Sequence, residues 1–239
     1  MNAPGHLDIP VRARQTRVMD VRDALRRRRM TRAFDGGELE EPELVELCTE
    51  ALRAPTAGHA RGVRTVVLAG QAGVHDYLAA ATDAEWRASS SRAPGLAMAG
   101  GAVVIVCDPS AYATRYADDD KAASGLGDLD AWPLPYWHTD AAFATMSLLL
   151  LIEDAGLSAC FLGAFRRHRE VLGLVNAPSG TELIGTVLVG RASAAQAPSG
   201  SLRRPGPTRA ERVVRRRFYR LSRYATRVRS ENPVAPFKR

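Results

Sequence analysis

The run AAFATMSLLLLI, residues 141 to 152, constrains the fold of this 239-residue chain more than any other stretch. With its flanks it spells one helix from His138 to Gly156 that is apolar nearly all round and is closed by Glu153 and Asp154. Such a helix must be covered on every side, so it belongs at the centre of a domain or at a subunit interface. It is too short to span a bilayer. No signal-peptide-like apolar segment opens the chain, so a soluble, cytoplasmic protein is expected.

The rest of the pattern mixes helices and strands. VMDVRDALRRRR (18–29), EPELVELCTEALRAP (41–55) and VHDYLAAATDAEWRA (74–88) carry apolar residues at helical spacing. RTVVLAG (64–70), AVVIVCD (102–108), SACFLGAF (158–165) and ELIGTVLVG (182–190) are short runs of buried-strand type. RHREVLGL is a short helix, and RAERVVRRRFYRL (209–221) has helical propensity. The elements lack the regular repeat of a doubly wound sheet, which points to an α+β fold. Residues 118–137, rich in Gly, Pro, Asp and aromatics, form a long irregular loop, often a functional lid.

Net charge is +7, which invites a nucleic-acid reading, but its distribution argues otherwise. Residues 201–239 hold twelve arginines and one lysine against two glutamates, a net of +11, so the preceding 200 residues sum to −4. A slightly acidic body carries a basic tail, and nucleic acid is not the expected partner. Cys48, Cys107 and Cys160 stand alone in apolar stretches and read as buried free thiols of a reducing compartment. No G-x-G-x-x-G follows a first strand, and no P-loop, G-x-S-x-G or H-E-x-x-H is present. The histidines show no metal-ligand spacing with cysteines or carboxylates, so no metal site is expected.

RRMTRAF (28–34), RAPTAGHARGVRTVVL (53–68) and WPLPYWHTDAAFATMSLLLLIEDAGLSACFLGAF (132–165), in that order, resemble the nitroreductase family, flavin-dependent oxidoreductases that bind FMN. RRMTRAF (28–34) is similar to the family's R-x-S-x-R/K-x-F, with Arg28 and Arg32 on the basic positions, Met30 on the usual hydroxyl position and Phe34 on the aromatic one. RAPTAGHARGVRTVVL (53–68) resembles A-P-S-x-x-N-x-Q, with Pro55, Thr56 and Ala57 where that loop's backbone and hydroxyl meet the flavin, His59 in place of Asn and Arg61 in place of Gln. WPLPYWHTDAAFATMSLLLLIEDAGLSACFLGAF (132–165) resembles the family's long helix, turn and strand.

The resemblance implies a central, mostly antiparallel sheet flanked by helices, with a long central helix at a dimer interface and a C-terminal arm. It divides the chain into an N-terminal arm (1–19), an FMN-binding domain (20–200) and a basic extension (201–239) docking on the partner subunit. The implied cofactor site comprises Arg28, Met30, Arg32, Pro55, Thr56, Ala57, His59, Arg203 and Arg204. Backbone amides of Gly163 and Ala164 would face the reactive part of the flavin. No catalytic side chain is required, because the flavin carries the chemistry. Trp132, Tyr136, Trp137 and His138 would line the substrate face by stacking on flat molecules.

The implied activity takes hydride from NAD(P)H and reduces a nitro- or quinone-like acceptor by ping-pong turnover, in a homodimer whose two flavins each touch both subunits. Two alternatives stand beside it. One is a flavin-dependent dehydrogenase or oxidase acting on a peptide-like or biosynthetic substrate with oxygen as acceptor. The other is a non-catalytic flavin-binding protein, or an assembly protein enlarged through its basic tail.

Overall fold

The four β-branched runs become the strands β1 (Val63–Ala69), β2 (Gly101–Cys107), β3 (Ser158–Leu162) and β4 (Glu182–Gly190) of one antiparallel sheet ordered β1-β2-β4-β3. The structure, a computed structural model, describes residues 19–163 and 166–214. β2 reads GAVVIVC without a polar side chain and is buried at every position. Only a central strand covered on both faces accommodates that pattern.

Eight α-helices accompany the sheet among the described residues: α1 (Val21–Arg27), α2 (Glu41–Ala51), α3 (Gly70–Ala81), α4 (Ala84–Ser89), α5 (Ala93–Ala97), α6 (Pro109–Tyr116), α7 (Tyr136–Asp154) and α8 (His168–Leu174). On one face of the sheet α2 and α7 pack Leu44, Leu47, Leu148 and Ile152 against Val103, Ile105, Val187 and Val189. On the other, α3, α5 and α8 pack Val74, Leu78, Leu96 and Val171 against Ala102, Val104, Cys160 and Leu188. This is the α+β, largely antiparallel architecture anticipated from sequence. The apolar α7 buries Ala141, Ala144, Leu148, Leu149 and Ile152, yet Phe143 on its outer side is 47% exposed.

Several boundaries differ from the sequence pattern. The helix expected over 74–88 is two helices. α3 starts at Gly70 and stops at Ala81, and Asp83 accepts a hydrogen bond from the Trp86 amide (2.6 Å) to start α4. An Asp side chain competing for backbone amides favours a cap over helix interior at that point. α6 begins at Asp108-Pro109, a cap-and-proline signature lying in what the sequence reading left unassigned. β3 ends at Leu162 rather than residue 165. The loop 118–137 contains two 3-10 turns, Ala122–Ser124 and Leu129–Ala131, and α7 starts inside it.

The chain divides into two compact units, Met1–Ala197 and Pro198–Arg239. In the second, Gly200–Arg203 forms a 3-10 turn and every described residue from Gly200 to Val214 is exposed. Residues 209–214, expected to begin a helix, form turns and extended chain; the rest of that expected helix lies outside the described residues, as does nearly all of the N-terminal arm.

Candidate functional site

Strand register gathers most of the sequence-predicted residues at one end of the sheet. Val63 at the start of β1 faces Cys107 at the end of β2, Cys107 faces Glu182 at the start of β4, and β3 ends at Leu162 beside Thr186. The connections carrying Pro55–His59, Trp132–His138 and Gly163 therefore all leave from the same end. They do not converge on one cavity.

One cleft, about 330 Å³, lies on the α3–α5 side and is lined by Arg32, Tyr77, Trp86, Arg92, Gly163 and Arg166 among others. The segment that delivers Arg32 is tied down over long range. Met30 forms an isolated bridge with Ala159, its sulfur accepts from the Phe161 amide (3.3 Å), and the Thr31 amide donates to the Ala159 carbonyl (2.8 Å). The amides of Arg32 and Ala33 donate to Gln196 Oε1 at 2.6 and 2.9 Å. Met30, expected among the cofactor ligands, is thus committed to β3, because a thioether packs and accepts where a hydroxyl would donate.

Arg28 caps the end of α1 and does not line the cleft; its Nε is buried without a partner among the described residues. Burial pushes the Cys160 thiol up, and the nearby charges of Arg32 and Arg92 pull it back. Arg92 and Gln196 were not legible as site residues, since neither belongs to a recognisable spacing.

α5 presses on this segment. A Cβ on Gly95 would stand 2.4 Å from the Arg32 carbonyl oxygen. Gly-to-Ala inside a helix normally stabilises by up to about 1 kcal/mol. Gly95→Ala is expected instead to destabilise, by roughly 1–3 kcal/mol as overpacking does, and to shift Arg32; thermal unfolding of the variant measures the sign.

The donor set suits a phosphate joined to a flat ring. Among the described residues Arg32, Arg92 and Arg166 join no ion pair. Guanidiniums meet phosphate oxygens with a planar fork. Tyr77 and Trp86 offer aromatic surface, and Gly163 offers backbone with no side chain in the way. Ala164 lies outside the described residues. Arg203 and Arg204 are exposed at the 3-10 turn of the second unit.

A second cleft, about 370 Å³, is lined by Pro55, Thr56, His59, Arg61 and Asp140. Its loop holds three left-handed conformations within four residues: Gly58, His59 and Arg61 have φ of 57°, 63° and 55°. Non-glycine residues there are strained and persist only when the surroundings impose them. The restraints are visible. Buried Asp140 accepts from the Ala57 amide (2.7 Å) and from Tyr112 Oη (2.8 Å). Arg115 donates through Nε to the Gly58 carbonyl (2.7 Å) while its other nitrogens hold Asp120 (2.7 Å each). Arg61 Nε donates to His59 Nε2 (2.7 Å). Tyr112 and Arg115 come from α6, which the sequence pattern does not disclose, and Asp140 stands on the recognised helix α7, where nothing in the sequence distinguishes it as a support.

The aromatic residues of 132–138 form a packed box instead of an open platform. Trp132 meets Tyr116 edge-on (4.7 Å between ring centres) and Tyr112 (6.0 Å), and its Nε1 donates to the Leu126 carbonyl (2.9 Å). Trp137 is buried and donates to Glu182 Oε2 (3.1 Å), which also contacts His138 Nε2. Tyr136 remains exposed. The expected lid is therefore anchored along much of its length by indole and phenol contacts.

Beside this box, burial, then the charges of Glu182 and Asp108, push the Cys107 thiol up from 9.0 to about 12. Tyr112 is likewise raised, by burial first and then by its hydrogen bond to Asp140. Groups whose pKa is higher when folded ionise first in the unfolded chain. The unfolded state then binds fewer protons, so stability falls as pH rises from about 9 toward 12. Melting temperature is expected to drop across that window, and Cys107→Ala to flatten the drop.

A model of the nitroreductase family matches residues 25–191, most of the chain. A search of curated proteins finds no match. Among solved structures, a nitroreductase family protein from Streptococcus pneumoniae TIGR4 superposes with a TM-score of 0.63 at 14% identity, covering 83% of this chain and all of that one (100%). A protein named as a nitroreductase, from Exiguobacterium sibiricum 255-15 and solved in complex with FMN, gives 0.58 at 15% identity over 76% and 92% of the two chains. One named as an NADH dehydrogenase/NAD(P)H nitroreductase, from Parabacteroides distasonis, gives 0.58 at 14% identity over 83% and 98%. At such identities the superpositions speak for the fold, and the family model, spanning the arginine segment, the long helix and all four strands, speaks for descent: the chain belongs to the nitroreductase family.

Proposed function

We propose that the chain is an FMN-dependent oxidoreductase that takes hydride from NAD(P)H and passes electrons to a flat organic acceptor of nitro or quinone type. The observation carrying this reading is the cleft in which Arg32 and Arg92 converge near the side-chain-free backbone of Gly163. FMN, when bound, supplies the hydride and electron chemistry. Arg32 and Arg92 bind the phosphate, Tyr77 and Trp86 shield the ring from water, and the Gly163 amide polarises it. The FMN complex of the Exiguobacterium relative supports the cofactor.

The partner in this reading is a second copy. Phe143, a large apolar side chain exposed in the middle of α7, is the anchor of that interface. The cleft at Thr56 and His59 then completes the flavin site of the partner subunit, since within one chain it is separate from the Arg32 cleft. Phe143→Arg is expected to convert a dimer into a monomer in sedimentation, with loss of flavin.

The purified protein reconstituted with FMN is expected to be yellow, with one FMN mass per chain, and to bleach anaerobically on addition of NADH or NADPH. A colourless protein sinks the cofactor assignment; a yellow one that neither nucleotide bleaches sinks the reductase direction.

A further inference from the structure

Cys107, His138 and Glu182 lie far apart in sequence, yet the fold brings a ligand atom of each within 4.8 Å of the others. Register is the cause. Cys107 and Glu182 are opposed partners on β2 and β4, and opposed residues of an antiparallel pair share a face of the sheet. His138, in the first turn of α7, turns its Nε2 onto the Glu182 carboxylate. We propose that these three side chains form a site for one divalent cation of borderline softness, of which Zn²⁺ is the type, held by Cys107 Sγ, His138 Nε2 and a Glu182 oxygen.

Thiolate, imidazole and carboxylate together are a zinc-type donor set, and three protein ligands leave a fourth position for water. Ligand atoms around a tetrahedral zinc ion stand roughly 3.3–3.8 Å apart, so the present spacing needs only a small contraction. Access is one-sided: Cys107 is wholly buried, whereas the His138 and Glu182 side chains are 49% and 43% exposed. A cation entering from solvent meets the imidazole and carboxylate first and the thiol at the bottom.

The electrostatics agree. A divalent charge beside Glu182 favours the thiolate, so Cys107 Sγ would bind as its proton leaves. Trp137 Nε1 steadies the carboxylate from behind at 3.1 Å, as outer partners of metal ligands do. A bare His138–Glu182 ion pair accounts for two of the residues and leaves the buried thiol at ligand distance unexplained. Bound metal would clip α7 to the β2–β4 end beneath the aromatic box, independently of any flavin.

The test uses the full chain without an affinity tag, stripped with a chelator and titrated with Zn²⁺ by calorimetry near neutral pH in buffers of differing ionisation enthalpy. One equivalent is expected at micromolar affinity or tighter, with about one proton released per zinc. Glu182→Gln and His138→Ala, both at half-exposed positions, are each expected to weaken binding by at least roughly 100-fold. Cys107→Ser is expected to do the same and to abolish proton release; should that buried variant not fold, the other two decide. Binding at other than one per chain, affinity weaker than about 100 µM (on the order of −5.5 kcal/mol), or unchanged affinity in Glu182→Gln overturns the site, the last outcome marking capture by surface histidines.

Discussion

Replacing Arg32 and Arg92 together with alanine is expected to weaken FMN binding by roughly 10²–10⁴-fold. A hydrogen bond to a charged group contributes about 1.5–3 kcal/mol, and each 1.4 kcal/mol is about tenfold in affinity. Both residues line the cleft and neither is in an ion pair among the described residues; the internal contact given up is the hydrogen bond from Arg32 Nη1 to the Met30 carbonyl (3.1 Å). Lysine at either position keeps the charge and loses the fork, so each single Lys variant should sit between wild type and the corresponding alanine. Arg28→Ala separates two accounts of the arginine run. If its buried, partnerless Nε answers to the phosphate, the variant loses flavin; if Arg28 serves only α1, affinity holds and stability falls. Arg22→Ala, on the exposed side of α1, is the control. Flavin retention after gel filtration and fluorescence titration give the affinities. A double variant that binds FMN within about threefold of wild type, far less than one charged hydrogen bond, would show that the phosphate site is elsewhere in a protein that still binds the flavin.

What the sequence disclosed follows from how far each signal reaches along the chain. The four strands were legible because burial writes itself as an uninterrupted β-branched run, most clearly in GAVVIVC. α7 was legible from its apolar length. Arg32 and Gly163 were found because a family spacing carries them, and they do line one cleft. Arg92 and Gln196 were not found, because their role comes from tertiary placement: α5 lies on the Arg32 segment, and the Gln196 side chain reaches back 164 residues to the Arg32 amide. The same limit bears on the Cys107, His138 and Glu182 cluster. Scanning for ligand spacing tests residues near in sequence, whereas Cys107 and Glu182 meet only through strand pairing. The aromatic run 132–138 misled in a different way. Sequence shows which rings are available, not whether they stack on a ligand or on each other, and here Tyr112 and Tyr116 of the overlooked α6 take that surface.

That overlooked helix also sets the second large effect. Asp140→Ala is expected to destabilise the fold by about 3–5 kcal/mol, which in a chain of this size lowers the melting temperature by roughly 6–20 °C. The carboxylate is buried and serves two donors from different elements, the Ala57 amide of the strained loop and the Tyr112 hydroxyl of α6. Removing it orphans the fully buried Tyr112 hydroxyl and releases the half-buried Ala57 amide, and an orphaned buried donor costs about 1–3 kcal/mol beyond the lost bond itself. Tyr112→Phe deletes only one donor and leaves the carboxylate on the Ala57 amide, so about 1–2 kcal/mol is expected. The double variant should therefore be less destabilised than the sum of the singles, since the hydroxyl that Asp140→Ala would orphan is already gone. The loop supplies a further readout. With the Ala57 amide released, only Arg115 holds Gly58, and the left-handed turns at His59 and Arg61 lose half of what imposes them. Hydrogen exchange over residues 56–62 should then accelerate in Asp140→Ala even well below its melting temperature, while exchange in β2 stays slow. A variant that melts within about 2 °C of wild type, or that leaves exchange in that loop unchanged, would mean that the strained turn is held by its own backbone and not by the helix behind it.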